Sequence, residues 1–135
     1  MINDELTGTL VLVHPALEHD PLDKQNEIGT IIHTDLPADD VFVRFDDGTQ
    51  GLYSSDALLT LMPAEEVHRN AAGMNYDTAF RDIKALAMIE LFFRYGSAEK
   101  QRTAMELAKE NSHLQQFCLE TLEHRLVINQ SRVYE

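Results

Sequence analysis

The chain has 135 residues, 44% hydrophobic and 25% charged, with a formal net charge of −12; this is the make-up of a folded protein and excludes a disordered one. No apolar run approaches the roughly 20 residues that span a bilayer, and a lone cysteine, Cys118, excludes an internal disulfide. The acids are concentrated, because residues 1–63 hold twelve of them against only Lys24 and Arg44, and a segment this negative repels phosphate backbones, so direct nucleic-acid binding is not expected.

From Thr7 to Met62 the apolar pattern has period two. TGTLVLV (7–13), EIGTIIHT (27–34) and DVFVRF (40–45) read as strands. Asp35-Leu36-Pro37-Ala38-Asp39 reads as a turn between the last two. In DVFVRF the residues Val41, Val43 and Phe45 share one face and form core, while Phe42 and Arg44 point the other way. Asp47-Gly48 is a hairpin signal, since glycine tolerates the positive φ of a tight turn. A fourth strand follows over Gln50 to Tyr53. Ser54-Ser55-Asp56 suits a single helical turn before a fifth strand, Leu58 to Met62. Five strands in about 55 residues predict a small, strongly bent barrel.

The period then becomes helical. Pro63 suits the first helical position, acids follow it, and Gly73 ends the helix. A second helix is expected from about Asp77 to Arg94, with Asp77/Arg81 and Glu90/Arg94 at favourable spacing. Ser97 caps a third helix, about Ala98 to Glu110. Ser112-His113-Leu114-Gln115 has capping-box spacing for a fourth, with the stripe Leu114, Phe117, Cys118, Thr121, Leu122 and Leu126; the final NQSRVYE reads as frayed. The expected class is α+β, a barrel over residues 1–63 and three or four helices over 64–135 packed on it. Each half alone is too small to bury much surface. The opening MINDELTGTL carries acids where a secretion signal carries positive charge, so a cytoplasmic location is expected.

Gly29-Thr30-Ile31-Ile32, Val41 to Phe45, Asp47-Gly48 and Gly51 to Leu58 together resemble the small-barrel superfamily of Tudor, KOW and Src-homology-type domains. The resemblance covers about 55 residues and implies the barrel rather than one function. Its familiar ligands fit poorly. A methyl-lysine cage needs several rings, and this half offers Phe42, Phe45 and Tyr53, with Phe45 in the core. Polyproline grooves use a Trp, and the chain has none. RNA-binding KOW domains are basic. Barrel followed by helices is also similar to CarD-type transcription regulators, which implies a contact with polymerase or, in the KOW manner, the ribosome.

His14, Glu18, His19, Asp20 and Asp23 are possible metal ligands, but Pro15 and Pro21 make their segment an irregular loop, and no metal or cofactor is expected. Cys118 lies on an apolar stripe, where a buried, inert thiol is expected. Ser54, Ser55 and Asp56 have no placed histidine, and no nucleophile elbow or phosphate loop exists, so no catalytic residue is assigned. An enzymatic reading would require His14, His19 and His33 to gather with carboxylates. The expected function is a non-enzymatic adaptor whose partner is a basic protein surface. Phe42, Arg44 and Tyr53 form its anchor, and Glu18, Asp20 and Asp23 sit in an acidic loop beside it. ALAMIELFF (85–93) is apolar around the helix, so Met88, Phe92 and Phe93 are assigned to the bundle or to a homodimer contact.

Overall fold

The computed structural model describes residues 6–73, 80–111 and 114–126. The strands are β1 (Leu10–Val13), β2 (Ile28–Asp35), β3 (Asp40–Phe45), β4 (Gln50–Tyr53), β5 (Leu58–Leu61) and β6 (Leu119–Thr121), and the helices are α1 (Ala64–Ala72), α2 (Phe80–Tyr95), α3 (Ala98–Glu110) and α4 (Gln115–Cys118). Residues 122–126 are also helical. The chain divides into two compact units, one of residues 1–60 with 121 onward, the other of residues 61–120. The second unit begins at Leu61, and the chain returns to the first after residue 120.

The α+β class holds, but the closed five-stranded barrel does not. The strands form one open antiparallel sheet in the order β4-β3-β2-β1-β5-β6. Closure requires the outer strands to find each other, and here β6 occupies the free side of β5. That strand falls inside the segment expected to be a single fourth helix. The helix stops at Cys118, Leu119 turns extended (φ −116°, ψ 146°), and helix resumes at residue 122. The two edges are blunted by shortness, with four residues in β4 and three in β6.

Alternation decides the sheet's core face. Val11, Val13, Ile31, Val41, Val43, Phe45, Tyr53 and Leu58 are buried together with Leu122, and Leu6, Leu17 and Leu126 pack against them. Gly29 sits opposite Phe45, and a Cβ there would overlap Val43 Cγ1 and crowd the Phe45 ring; its absence lets β2 and β3 fit closely. A bulge between Ile31 and His33 shifts the register, so that His33 rather than Ile32 stands beside Phe42.

In the helical unit, Pro63 is the N-cap of α1, with Glu65 and Glu66 in the first turn and Gly73 closing it. Ala64 and Val67 of α1, Leu86 and Ile89 of α2, and Ala104, Met105 and Ala108 of α3 are buried. Alanine at the α3 positions allows close helix approach. Gly96 makes the α2–α3 turn, where a Cβ would overlap Phe92 O and Lys100. Ser97 occupies the N-cap of α3 without a side-chain capping bond. Arg94 bonds Glu90 at 2.9 Å as spaced for, and Glu90 also meets His68 Nδ1 of α1 at 3.3 Å. Asn70 Nδ2 donates to Phe117 O at 2.9 Å, tying α1 to α4. Asp77, the Arg81 side chain, Ser112, His113 and the terminal NQSRVYE lie outside the described residues.

Candidate interaction surface

The outward side of the β3–β4 hairpin is built by its turn. Phe45 N–H donates to Thr49 O at 2.9 Å and Gly48 N–H to Phe45 O at 3.0 Å, with Gly48 at φ 88°. Asp46-Asp47-Gly48 is therefore a three-residue loop ending in a left-handed glycine. This loop sets Arg44 opposite Gln50, Phe42 opposite Leu52 and Val41 opposite Tyr53. Tyr53 shares the face of Val41 and is buried, not paired with Phe42 on the outward side. A two-residue loop would have reversed it, because one step of register exchanges the faces. The neighbour of Phe42 is Leu52, 55% exposed. Phe42 itself is half-buried and Arg44 exposed. The His33 ring lies 5.4 Å from that of Phe42, so the outward side is an apolar patch of Leu52 and Phe42 bordered by an imidazole.

The acidic loop of residues 14–27 is fastened to the same hairpin from the core side. Asp20 Oδ2 accepts from the Tyr53 hydroxyl at 2.8 Å and from Lys24 N–H at 2.9 Å, while its Oδ1 accepts from Leu22 N–H at 3.0 Å. Lys24 Nζ meets Asp47 Oδ2 at 2.6 Å and lies 5.5 Å from the centre of the Phe45 ring. Leu22 Cδ1 lies over Gly51, where a Cβ would crowd it and Tyr53. Burial and the Asp20 carboxylate hold the Tyr53 phenol above its ordinary range, so it stays a donor. The hydrogen bonds from Lys24 and then Thr49 hold the Asp47 carboxyl well below the ordinary range, and Asp47 in turn raises Lys24.

These ties remove Asp20 and Tyr53 from the set of residues facing outward, whereas Glu18 and Asp23 are exposed. Asp23 adopts φ 56°, a left-handed conformation that Asp tolerates in turns. His14 Nδ1 accepts from Ala16 N–H at 3.1 Å, which leaves Nε2 to carry the proton of the neutral ring. With Ala16, Leu17, Asp56 and Ala57 it lines a hollow of about 220 Å³. Ser54 Oγ donates to Asp56 Oδ1. His19 and His33 are exposed. Among the described residues, no three His, Cys, Asp or Glu side chains stand close enough to hold a metal ion.

On α2, Met88 is 37% exposed and Phe92 and Phe93 are half-buried. Lys100 Nζ lies 5.0 Å from the Phe92 ring centre. Leu91 and Tyr95 are more exposed, at 54% and 76%, and the sequence reading missed both. Their signal was the spacing of three and seven residues from Met88, which places them on its side of the helix. Cys118 is fully buried and donates to Leu114 O at 3.4 Å; burial pushes its thiol up to about 12, in line with an inert side chain. Among the described residues, no helix is long and apolar enough to cross a membrane. Compared with protein-family models, with curated proteins and with solved structures, the chain matches none.

Proposed function

We propose that the sheet unit is a non-enzymatic docking module that binds a basic protein surface through the outward side of the β3–β4 hairpin. The observation that carries this reading is Leu52, exposed on an edge strand directly opposite Phe42. The unit that carries it is acidic, with ten carboxylates against two cations over residues 6–60, and Lys24 is already committed to Asp47 and Glu27. An apolar anchor on a unit of one predominant charge sign fits a protein partner of the opposite sign. Leu52 takes the place first assigned to Tyr53, and Phe42 and Arg44 keep theirs.

The test is cross-linking capture from a cell lysate, quantified by mass spectrometry, with the wild type beside a Leu52→Asp/Phe42→Ala double variant. The expected result is a set of Lys- and Arg-rich proteins that disappears with the variant and weakens as salt rises from about 50 to about 300 mM. An identical captured set from both proteins, indifferent to salt, sinks the reading.

A further inference from the structure

Helix α2 is apolar on two opposite sides. Successive residues turn by about 100° around a helix axis, so Leu86 and Ile89 fall on one side, and both are fully buried. Lys84, Met88, Leu91 and Tyr95 fall within a strip about 60° wide on the other side, and all four are exposed, as is Ala87 beside them. The first side is used within the helical unit. The second has no role in that packing.

We propose that this strip is a self-association seam in which α2 pairs antiparallel with α2 of a second copy of the chain, about a two-fold axis midway between Met88 and Leu91. The spacing fits a second copy of the same strip. Steps of four, three and four residues are those of a coiled-coil seam, and they read the same in both directions. Antiparallel pairing therefore sets Met88 of each copy against Leu91 of the other, and Lys84 of each against the other's Tyr95. The charges select the direction. Parallel pairing would place two Lys84 ammonium groups together and align the helix dipoles unfavourably; antiparallel pairing places each ammonium against an aromatic ring. Arg94, 6.0 Å from the centre of its own Tyr95 ring, is neutralised by Glu90 and so does not repel the incoming lysine. The seam is about 16 Å long on a helix about 10 Å across, so it covers on the order of 160 Å², well short of the roughly 800 Å² per partner of a stable interface. Association is accordingly weak and reversible.

Sedimentation equilibrium from about 10 µM to about 1 mM covers the range for such affinities. The expected outcome is a concentration-dependent dimer that Leu91→Glu weakens at least tenfold while its circular-dichroism melt stays that of the wild type. A monomer throughout, or a dimer that survives Leu91→Glu, overturns the seam. Its direction is read by disulfide trapping, with Cys118 left in place because its thiol is buried. Lys84→Cys mixed with separately purified Tyr95→Cys should cross-link readily. Lys84→Cys alone should not, because its two copies stand about 16 Å apart along the axis, beyond the roughly 6 Å Cα separation a disulfide allows. Equal cross-linking of Lys84→Cys alone overturns the antiparallel arrangement.

Discussion

The sheet unit and the helical unit hold their surfaces in place by different means. In the sheet unit two ties between side chains reach far along the sequence, with Tyr53 reaching Asp20 across 33 positions and Lys24 reaching Asp47 across 23. They lay the long acidic loop over one side of the hairpin and leave the other side open. In the helical unit local side-chain bonds, as from Asn111 to Leu107 O and from Arg94 to Glu90, each across four positions, stand beside the longer reaches of His68 and Asn70. Order there comes from packing Leu86, Ile89 and Met105 among alanines. The acidic loop of the sheet unit is thus held by specific polar partners, and the helices by apolar volume. Variants that separate polar ties from packed volume put that contrast to the test.

The largest effect belongs to volume. Leu86→Ala should cost about 3 kcal/mol by the usual penalty for emptying a core site, whereas Leu91→Ala on the opposite side of the same helix should stay within about 0.5 kcal/mol. Urea denaturation of both variants measures the difference, and equal costs would erase the two-sided reading of α2. Next comes Gly29→Ala, whose methyl must displace the Val43 side chain, at about 2 kcal/mol by the range for overpacking. Tyr53→Phe removes a donor from Asp20 but leaves that carboxylate its two backbone donors, so about 1 kcal/mol is expected from the usual value of one hydrogen bond.

The Lys24–Asp47 tie gives a smaller effect with a defined pH signature. The folded-state pKa of Asp47 is depressed, so the unfolded chain takes up the proton first as the solution is acidified. The stabilisation is fully present above about pH 4, the ordinary carboxylate range, and is lost as the pH falls below it. Thermal melts between pH 2 and 6 should therefore converge for wild type and Lys24→Met at the acid end and diverge at the neutral end. Curves that stay parallel throughout would mean the tie contributes nothing. The smallest effect is Leu52→Ser, within about 0.5 kcal/mol for stability as for most surface changes, since its expected loss is in binding.

How much could be read in advance followed the range of the interaction responsible. Alternation in Val41 to Phe45 and the Asp-Gly turn are local, and β3 and β4 lie where they were expected; Gly73, Gly96 and Ser97 likewise bound the helices. Tyr53 was assigned to the wrong side because loop length sets the register, and Asp46-Asp47-Gly48-Thr49 accommodates a loop of two residues or of three. The sixth strand was missed because Leu119-Glu120-Thr121 continues a helical stripe, and only the free side of β5, supplied by residues 60 positions earlier, makes it extended. The same strand is why no barrel closes. The ties of Asp20 and Lys24 were invisible for a related reason: a carboxylate in a Pro-bounded loop shows its charge in the sequence but not its partner. On α2 the apolar residues were plain, yet all-round hydrophobicity concealed which side was spent, and Leu91 and Tyr95 were passed over for the bulkier Phe92 and Phe93.

Cys118 offers a way to watch the helical unit breathe. Its Sγ is sealed and its thiolate suppressed, so an alkylating reagent can reach it only during an opening event. Its labelling rate near pH 8, divided by that of a free cysteine, is then the equilibrium constant for that opening. One atom supplied by the chain itself makes local unfolding around α4 a directly timed quantity.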